Sequence, residues 1–484
     1  MSEITNLSPR LVWQYFDEIT RVPRPSKKEG KIRAFLIDFA KKHHLDYRQD
    51  AAGNIVILKP ATPGCEKSPV VILQSHMDMV CEKNSDVTFD FDNDPIRTRI
   101  DGEWVRAEGT TLGADCGIGM AAAMAMLTAD KVEHGPIEAL FTVDEETGLT
   151  GAFGLGEGML TGKYLINLDS EDEGEIFIGC AGGIDTLATI LYTPEPAPAG
   201  LVWFRIALSG LKGGHSGDDI DKGRGNSNKL LNRFLRYGTR EFGLCLAQFD
   251  GGNLRNAIPR EAFAIFGVSA GCVKPMLERF ETYKAEITAE FQMTESSLEV
   301  TLAEEPAPAQ VVDEVTQRRL VNAVCGVPNG VLAMSSAMPG LVETSTNLAS
   351  VKFPEPGRIV VTTSQRSSVG SARDEAAASV RAVFDLAGAR VIHSDGYPGW
   401  NPNPGSRLLK VAEQTYERLF GHAPKVRAIH AGLECGLFLE KYPHLEMVSF
   451  GPTLRGVHSP DERLEIPTVD KFWKLLVGVV DALR

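Results

Sequence analysis

The 484-residue chain carries 50 Lys and Arg against 64 Asp and Glu, a net charge of −14, and is 43% hydrophobic and 24% charged. Such proportions belong to an ordinary soluble globular protein, long enough for about three average domains. The acidic balance and the lack of a basic stripe exclude a phosphate-tracking nucleic-acid surface, and no run reaches the ~18 apolar residues of a membrane helix.

The start, MSEITNLSPRLVW, has no basic segment leading into an apolar core, so no secretory signal is expected. The eight cysteines are scattered without a CxxC pair. That pattern favours reduced thiols and a cytoplasmic location over a disulfide framework.

In chain order, PRLVWQYFDEI from Pro9 and KIRAFLIDFAKKHH from Lys31 predict two helices, with apolar residues at three- and four-residue spacing. NIVIL (54–58), PVVILQ (69–74), PIEALFTV (136–143) and YLINL (164–168) predict buried strands. GIGMAAAMAMLTA (117–129) predicts a small-residue helix packed closely on a sheet. Strands alternating with helices define an α/β domain with a mixed, largely parallel sheet flanked by helices.

From about Leu187 the pattern changes. VWFRIAL (202–208), FAIFGVS (263–269), SLEVTLA (297–303) and RIVVTTS (358–364) predict strands, with helices such as NKLLNRFLRYG and VKPMLERFETYKAEITAEFQ between them. This is an α+β insert, 187–394, of two similar lobes, with a lobe boundary expected near Gln292. DGYPGWNPNPGS, rich in Gly and Pro, reads as the linker out of it. A helix (LLKVAEQTYERLFG), a strand (EMVSF) and a last helix (VDKFWKLLVGVVDALR) return to the opening composition. The expected organisation is therefore a discontinuous catalytic domain, 1–186 and 395–484, interrupted by a large α+β lid.

Five short motifs stand at strand ends or just beyond: SHMD (75–78), GADCGIG (113–119), DEETG (144–148), NLDSED (167–172) and GVHSP (456–460). Open α/β sheets place their sites at the C-terminal ends of strands. His76 and Asp78 lie two apart and share a face of a strand. A metal-bound histidine needs such a carboxylate on its other nitrogen, though a structural His–Asp hydrogen bond has the same pattern. Asp115 precedes a helix, where an N-cap or turn residue is the plain reading. Glu145 and Glu146 follow a buried strand, where paired carboxylates repel without a cation; a solvated acidic loop is the alternative. Asp169 ends another strand, and His458 sits in a loop. Taken as a set, two histidines and several carboxylates on different strand ends suit two divalent ions with mixed N and O ligands. Paired ions about 3.5–4 Å apart can hold one hydroxide and polarise a carbonyl.

SHMDMVCEK, GTTLGADCGIGMA, FTVDEETGLTGA, NLDSEDEGE, GLKGGHSGDDI, NLRNAIPR, HAGLECG and GPTLRGVHSP together resemble the dinuclear zinc peptidase family that includes carboxypeptidase G and the aminoacylases, and within it the Xaa-His dipeptidase branch. These motifs run in order from residue 75 to 460, nearly the whole chain. The resemblance implies two divalent ions, zinc first, with Mn²⁺ or Co²⁺ also suited to such ligands. It implies that His76 and Asp169 hold one ion, Glu146 and His458 the other, and that Asp115 bridges both, with a cis peptide following it at Asp115–Cys116. Asp78 would orient His76, and Glu145 would be the general base.

For the insert, the resemblance implies that His215 stabilises the oxyanion, that Asn256 and Arg366 grip a dipeptide's C-terminal carboxylate, and that Gly432 offers a backbone contact. Arginine suits this because its planar fork matches a carboxylate. His430 and Glu434 shape the pocket or do more. The expected activity is hydrolysis of unblocked dipeptides, Xaa-His and β-alanyl-histidine among them. The competing readings are an aminoacylase-type amidohydrolase on N-acylated substrates and a non-catalytic metal or peptide binder. A homodimer stays open, since the longer insert would supply both lid halves within one chain.

Overall fold

The apolar residues 71–73 lie in the strand Val71–His76, every residue of which is buried; Val70 precedes it. The computed structural model describes residues 2–484. It divides them into two compact units, one comprising the chain up to Gly179 with Pro402–Ala428 and Glu434–Arg484, the other Cys180–Asn401 with Ile429–Leu433.

In the first unit an eight-stranded sheet runs in the order Asp46–Gln49, Ile55–Lys59, Ile137–Thr142, Val71–His76, Tyr164–Asn167, Glu446–Ser449, Glu175–Cys180 and Lys425–Ile429. The pairings from Ile137–Thr142 across to Glu446–Ser449 are parallel. Asp46–Gln49, Ile55–Lys59 and Glu175–Cys180 join antiparallel. The sheet is thus mixed, with a parallel centre whose strands read as continuous apolar runs because both faces are covered. Parallel pairing brings the ends of Val71–His76, Ile137–Thr142 and Tyr164–Asn167 to one edge. Register sets His76 opposite Thr142 and Gln74 opposite Asn167.

The small-residue helix Ala114–Thr128 packs on Val71–His76, on Ile137–Thr142 and on the helix Arg10–Thr20. Its alanines and glycines let backbones approach closely. A Cβ on Gly119 would stand 2.6 Å from the Leu168 carbonyl oxygen, so only glycine fits beside that strand end. A small sheet of Thr98–Asp101, Trp104–Ala107, Arg463–Glu465 and Leu454–Arg455 completes the unit and carries the hairpin around His458.

The second unit is built on a nine-stranded sheet whose pairings are antiparallel. It contains the same chain path twice. One half runs strand Leu201–Ser209, helix Ser227–Glu241, strands Cys245–Gly251 and Ala262–Ser269, helix Val273–Phe291 and strand Glu299–Glu304. The other runs strand Gly182–Leu191, helix Glu314–Gly326, strands Val342–Glu355 and Arg358–Ser367, helix Gly370–Leu386 and strand Arg390–His393. In each half the strands lie in the spatial order fourth, first, third, second, read towards the middle of the sheet. The halves meet where Gly251 pairs with Val351. One core serves both, with Phe204, Phe234, Phe266, Val361 and Phe384 in a single cluster. Burying each such side chain is worth about 1.5–3 kcal/mol.

No boundary falls near Gln292. The helix Val273–Phe291 ends there, and the chain returns as Glu299–Glu304 to pair with Leu201–Ser209 in the same sheet. The Gly- and Pro-rich stretch at 395–400 is not a free connector either. Gly183 donates to the Tyr397 carbonyl and Trp400 to that of Cys180, which ties the stretch to the second unit. Among the described residues no helix is long and apolar enough to cross a membrane.

Candidate metal centre

His76 is the last residue of its strand and is buried. Its Nδ1 stands 3.4 Å from Asp78 Oδ1, which leaves Nε2 facing Asp115 Oδ1 at 3.2 Å and Asp169 Oδ1 at 3.3 Å. Asp78 is fixed in turn by the Ser26 hydroxyl (2.7 Å) and the backbone N–H groups of Glu145 (3.0 Å) and Glu146 (3.3 Å). Burial alone would raise the Asp78 carboxyl; His76, Ser26 and the Glu145 N–H outweigh it and bring it down to about 2. Asp78 is therefore a carboxylate at any physiological pH, as a partner of imidazole needs to be.

Asp115 sits in the first turn of Ala114–Thr128, where the backbone departs from helical angles and the Asp115–Cys116 peptide is cis. Gly113 precedes it with φ 68°, a left-handed conformation that suits glycine. The turn aims the Asp115 carboxylate between the two histidines. Oδ1 faces His76, and Oδ2 stands 3.1 Å from His458 Nε2. His458, itself in a left-handed conformation with φ 60°, also meets Glu146 Oε2 at 2.9 Å.

After Ile137–Thr142 the chain turns at Asp144, with φ 49°. Aspartate tolerates this region better than most residues, and here Thr147 and Thr150 donate to its carboxylate while its own N–H donates to Glu29. The turn brings Glu145 and Glu146 within reach of His76, the ligand atoms of all three lying within 4.8 Å of one another.

The electrostatics favour cations. Burial raises Asp169 to about 6, despite His76, and raises Glu171 to about 8 with Asp115 and Asp169 adding to it. Burial also raises Glu145, and Asp169, Glu434 and Glu146 add to that after His76's opposing pull. Asp115 and Glu146 hold a proton on His458, pushing it up to about 11. Glu146 Oε1 and Asp169 Oδ1 are buried without hydrogen-bond partners. Imidazole nitrogens and carboxylate oxygens in this number, with two oxygens left unsatisfied, fit divalent ions of the zinc, manganese or cobalt kind.

Behind these groups runs a buried polar chain that the motifs alone did not reveal. Gln74 and Thr142 donate to Glu434 at 2.7 and 2.9 Å, Asn167 donates to Gln74 at 2.5 Å, and Ser449 donates to Asn167. Burial pushes Glu434 up to about 8. Arg24, Glu171 and Glu462 are further charged groups at the centre that sequence reasoning missed. Glu171 and Glu462 lie inside or beside quoted motifs, so only their side-chain direction was hidden.

The remaining predicted residues belong to the second unit. His215 donates its N–H to Asp219, and its Nδ1 stands 3.3 Å from Asp218 Oδ2. Its loop is stitched to the NLRNAIP segment by Ser216 N–H to the Asn256 carbonyl (2.8 Å). Arg366 is buried in Arg358–Ser367 and donates to the Tyr397 hydroxyl at 3.0 Å. The ring of Tyr397 also lies against Gly432, where a Cβ would come within 2.8 Å. His430 is buried and shares a 2.7 Å hydrogen bond with Ser345. Burial, then Arg366, pushes His430 down to about 4, so it is neutral at pH 7. Tyr397 and Ser345 carried no signal in the sequence, since nothing local marks a tyrosine in a Gly–Pro stretch.

The chain belongs to peptidase family M20/M25/M40, whose model matches residues 72–482, and is thus a metallopeptidase. It is 45% identical to the cytosol non-specific dipeptidase of Escherichia coli (strain K12), over 99% of both chains. It superposes on the crystal structure of aminoacylhistidine dipeptidase from Vibrio alginolyticus with a TM-score of 0.94 and 46% identity, over 99% of this chain and 98% of that one. The aminopeptidase PepT of Bacillus cereus shares the fold at 17% identity, with a TM-score of 0.63 over 99% of both chains.

Proposed function

We propose that the chain hydrolyses unblocked dipeptides, Xaa-His and β-alanyl-histidine among them, with two divalent ions held by His76, Asp169, Asp115, Glu146 and His458. The observation that carries this is the Asp115 carboxylate, with one oxygen 3.2 Å from His76 and the other 3.1 Å from His458. A carboxylate placed so, with Asp169 beyond one histidine and Glu146 beyond the other, makes two donor sets that share one residue. The names of the Escherichia and Vibrio relatives support a dipeptide substrate, and the Vibrio name supports histidine at its C-terminal position. The Escherichia relative's name supports a cytosolic location.

His76 and Asp169 would hold one ion, Glu146 and His458 the other, and Asp115 both. Bound there, such ions supply Lewis acidity that polarises the scissile carbonyl and acidifies water. Zinc is the first candidate. Asp78 keeps the His76 ring oriented so that Nε2 presents its lone pair. Glu145 takes the proton from the attacking water and hands it to the leaving amine. The upward push on its carboxyl is in the direction a general base near neutral pH needs.

The second unit is read as the lid. His215 is assigned to the oxyanion, Asn256 and Arg366 to the substrate's C-terminal carboxylate, and Gly432 to a backbone contact; the likeness of GGHSGDD, NLRNAIP and HAGLECG to the family's motifs supports this.

The test is a dipeptide panel with Xaa-His members and their N-acetylated forms, run on chelated and on metal-restored protein. Cleavage of free dipeptides that vanishes on chelation and returns with zinc is expected. Cleavage of the acetylated forms alone would replace the dipeptidase reading with an aminoacylase.

A further inference from the structure

One buried carboxylate ties together the two loops that bring Asp115 and His458 face to face. Glu462 is 2% exposed. Its Oε2 accepts the backbone N–H groups of Leu112 (2.7 Å) and Gly113 (3.0 Å), and its Oε1 those of Ala114 (2.8 Å) and Asp115 (3.3 Å). Four consecutive donors therefore converge on one side chain. From the other side Arg24, also buried, donates to the Gly113 carbonyl and to the carbonyls of Met77 (3.3 Å) and Asp78 (2.5 Å). The Leu112–Asp115 segment is thus gripped by its N–H groups and by a carbonyl at once.

Glu462 and His458 belong to the same hairpin, between the paired strands Leu454–Arg455 and Arg463–Glu465. The Glu462 N–H donates to the Ser459 carbonyl at 3.0 Å, which closes the turn between them. Asp115 and His458 are 343 positions apart in the chain. Within the first unit, Glu462 shares a hairpin with His458, four positions on, and anchors the backbone of Asp115 by hydrogen bonds. His76 ends the strand Val71–His76 and Asp169 follows the adjacent parallel strand Tyr164–Asn167, so neither residue is carried by the hairpin of His458 or hydrogen-bonded to Glu462.

We propose that Glu462 is a positioning residue that sets the spacing between Asp115 and His458, and that it controls the ion at Asp115, Glu146 and His458 more strongly than the ion at His76 and Asp169. This rests on the dinuclear reading above. A neutral amide in its place would turn an NH₂ towards N–H donors and leave part of them unpaired, a cost that charge-assisted acceptors avoid. Residues that orient metal ligands typically change affinity 10–100-fold when replaced.

The experiment is calorimetric titration of metal-free protein with Zn²⁺ alone, for wild type, Glu462→Gln and Glu462→Asp, with a thermal melt of each metal-free protein. Wild type should take up two ions. Glu462→Gln should keep one binding step within a few-fold and weaken the other about 10–100-fold, while Glu462→Asp, which keeps the charge but retracts the oxygens, should fall between. Two unchanged steps, equal weakening of both, or loss of the melting transition in both metal-free variants would overturn the proposal. Fewer than two ions on the wild type would overturn the dinuclear reading itself, and the proposal with it.

Discussion

The Asp78 carboxylate accepts the backbone N–H of Glu145 at 3.0 Å while its Oδ1 lies 3.4 Å from His76 Nδ1. One side chain therefore joins the orientation of an imidazole on one strand end to the position of a glutamate beyond the next. Its second oxygen takes the Ser26 hydroxyl and the Glu146 N–H. Replacing Asp78 with Asn removes the charge and points an amide at those donors. Zinc affinity should fall about 10–100-fold, read from titration of metal-free protein. An affinity equal to wild type would show that His76 holds its pose unaided.

Glu145 and Glu146 are adjacent but differ in partner, since Glu146 Oε2 meets His458 at 2.9 Å. Glu145→Gln should cut kcat on a free dipeptide by roughly 10²–10⁴, the usual scale of general base catalysis. Bound metal, measured on desalted protein, should stay at the wild-type level. Loss of metal in parallel with activity would make Glu145 a ligand instead.

Arg366→Ala should act through KM. A hydrogen bond to a charged group is worth about 1.5–3 kcal/mol, so KM for a free dipeptide should rise roughly ten- to a hundredfold with a smaller change in kcat. The discrimination between a dipeptide and its C-terminal amide should shrink with it. If wild type and variant discriminate alike, the carboxylate is recognised elsewhere.

His430 gives a pH dependence with a definite sign. Its folded value, about 4, lies below the ordinary 6.5. Between those values the unfolded chain binds a proton that the folded chain refuses. The stability it contributes is present above 6.5 and is lost as pH falls towards 4, at most about 3 kcal/mol. Denaturant melts of metal-free protein between pH 7 and 4 should show this loss, and His430→Gln, which keeps an amide for Ser345, should flatten the slope. Identical slopes would mean that other groups govern acid unfolding.

Much of the first unit was legible because its signals are local. Apolar runs such as Val71–Leu73 and Ala139–Phe141 have nowhere to go but a sheet covered on both faces. The small residues of GIGMAAAMAML could only serve close packing. The second unit hid its longest strand. In Val342–Glu355 the buried stretch from Thr344 to Val351 is largely Thr, Ser and Asn, and a polar strand leaves no apolar trace. It is stable because neighbours satisfy it: Thr344 with Ser367 at 2.9 Å, Thr346 with Gln365 at 3.1 Å, Asn347 with the Ala257 carbonyl at 2.8 Å.

The sequence by itself determined which residue types stood at which strand ends, and so the chemistry on offer, because periodicity and turn residues act over a few positions. Only the tertiary structure decided that the two oxygens of Asp115 face different histidines, that Glu462 rather than water caps the Leu112–Asp115 backbone, and that the two halves of the second unit share one sheet. Those are distances between residues tens to hundreds of positions apart, and they are set by register and packing, which no local pattern encodes.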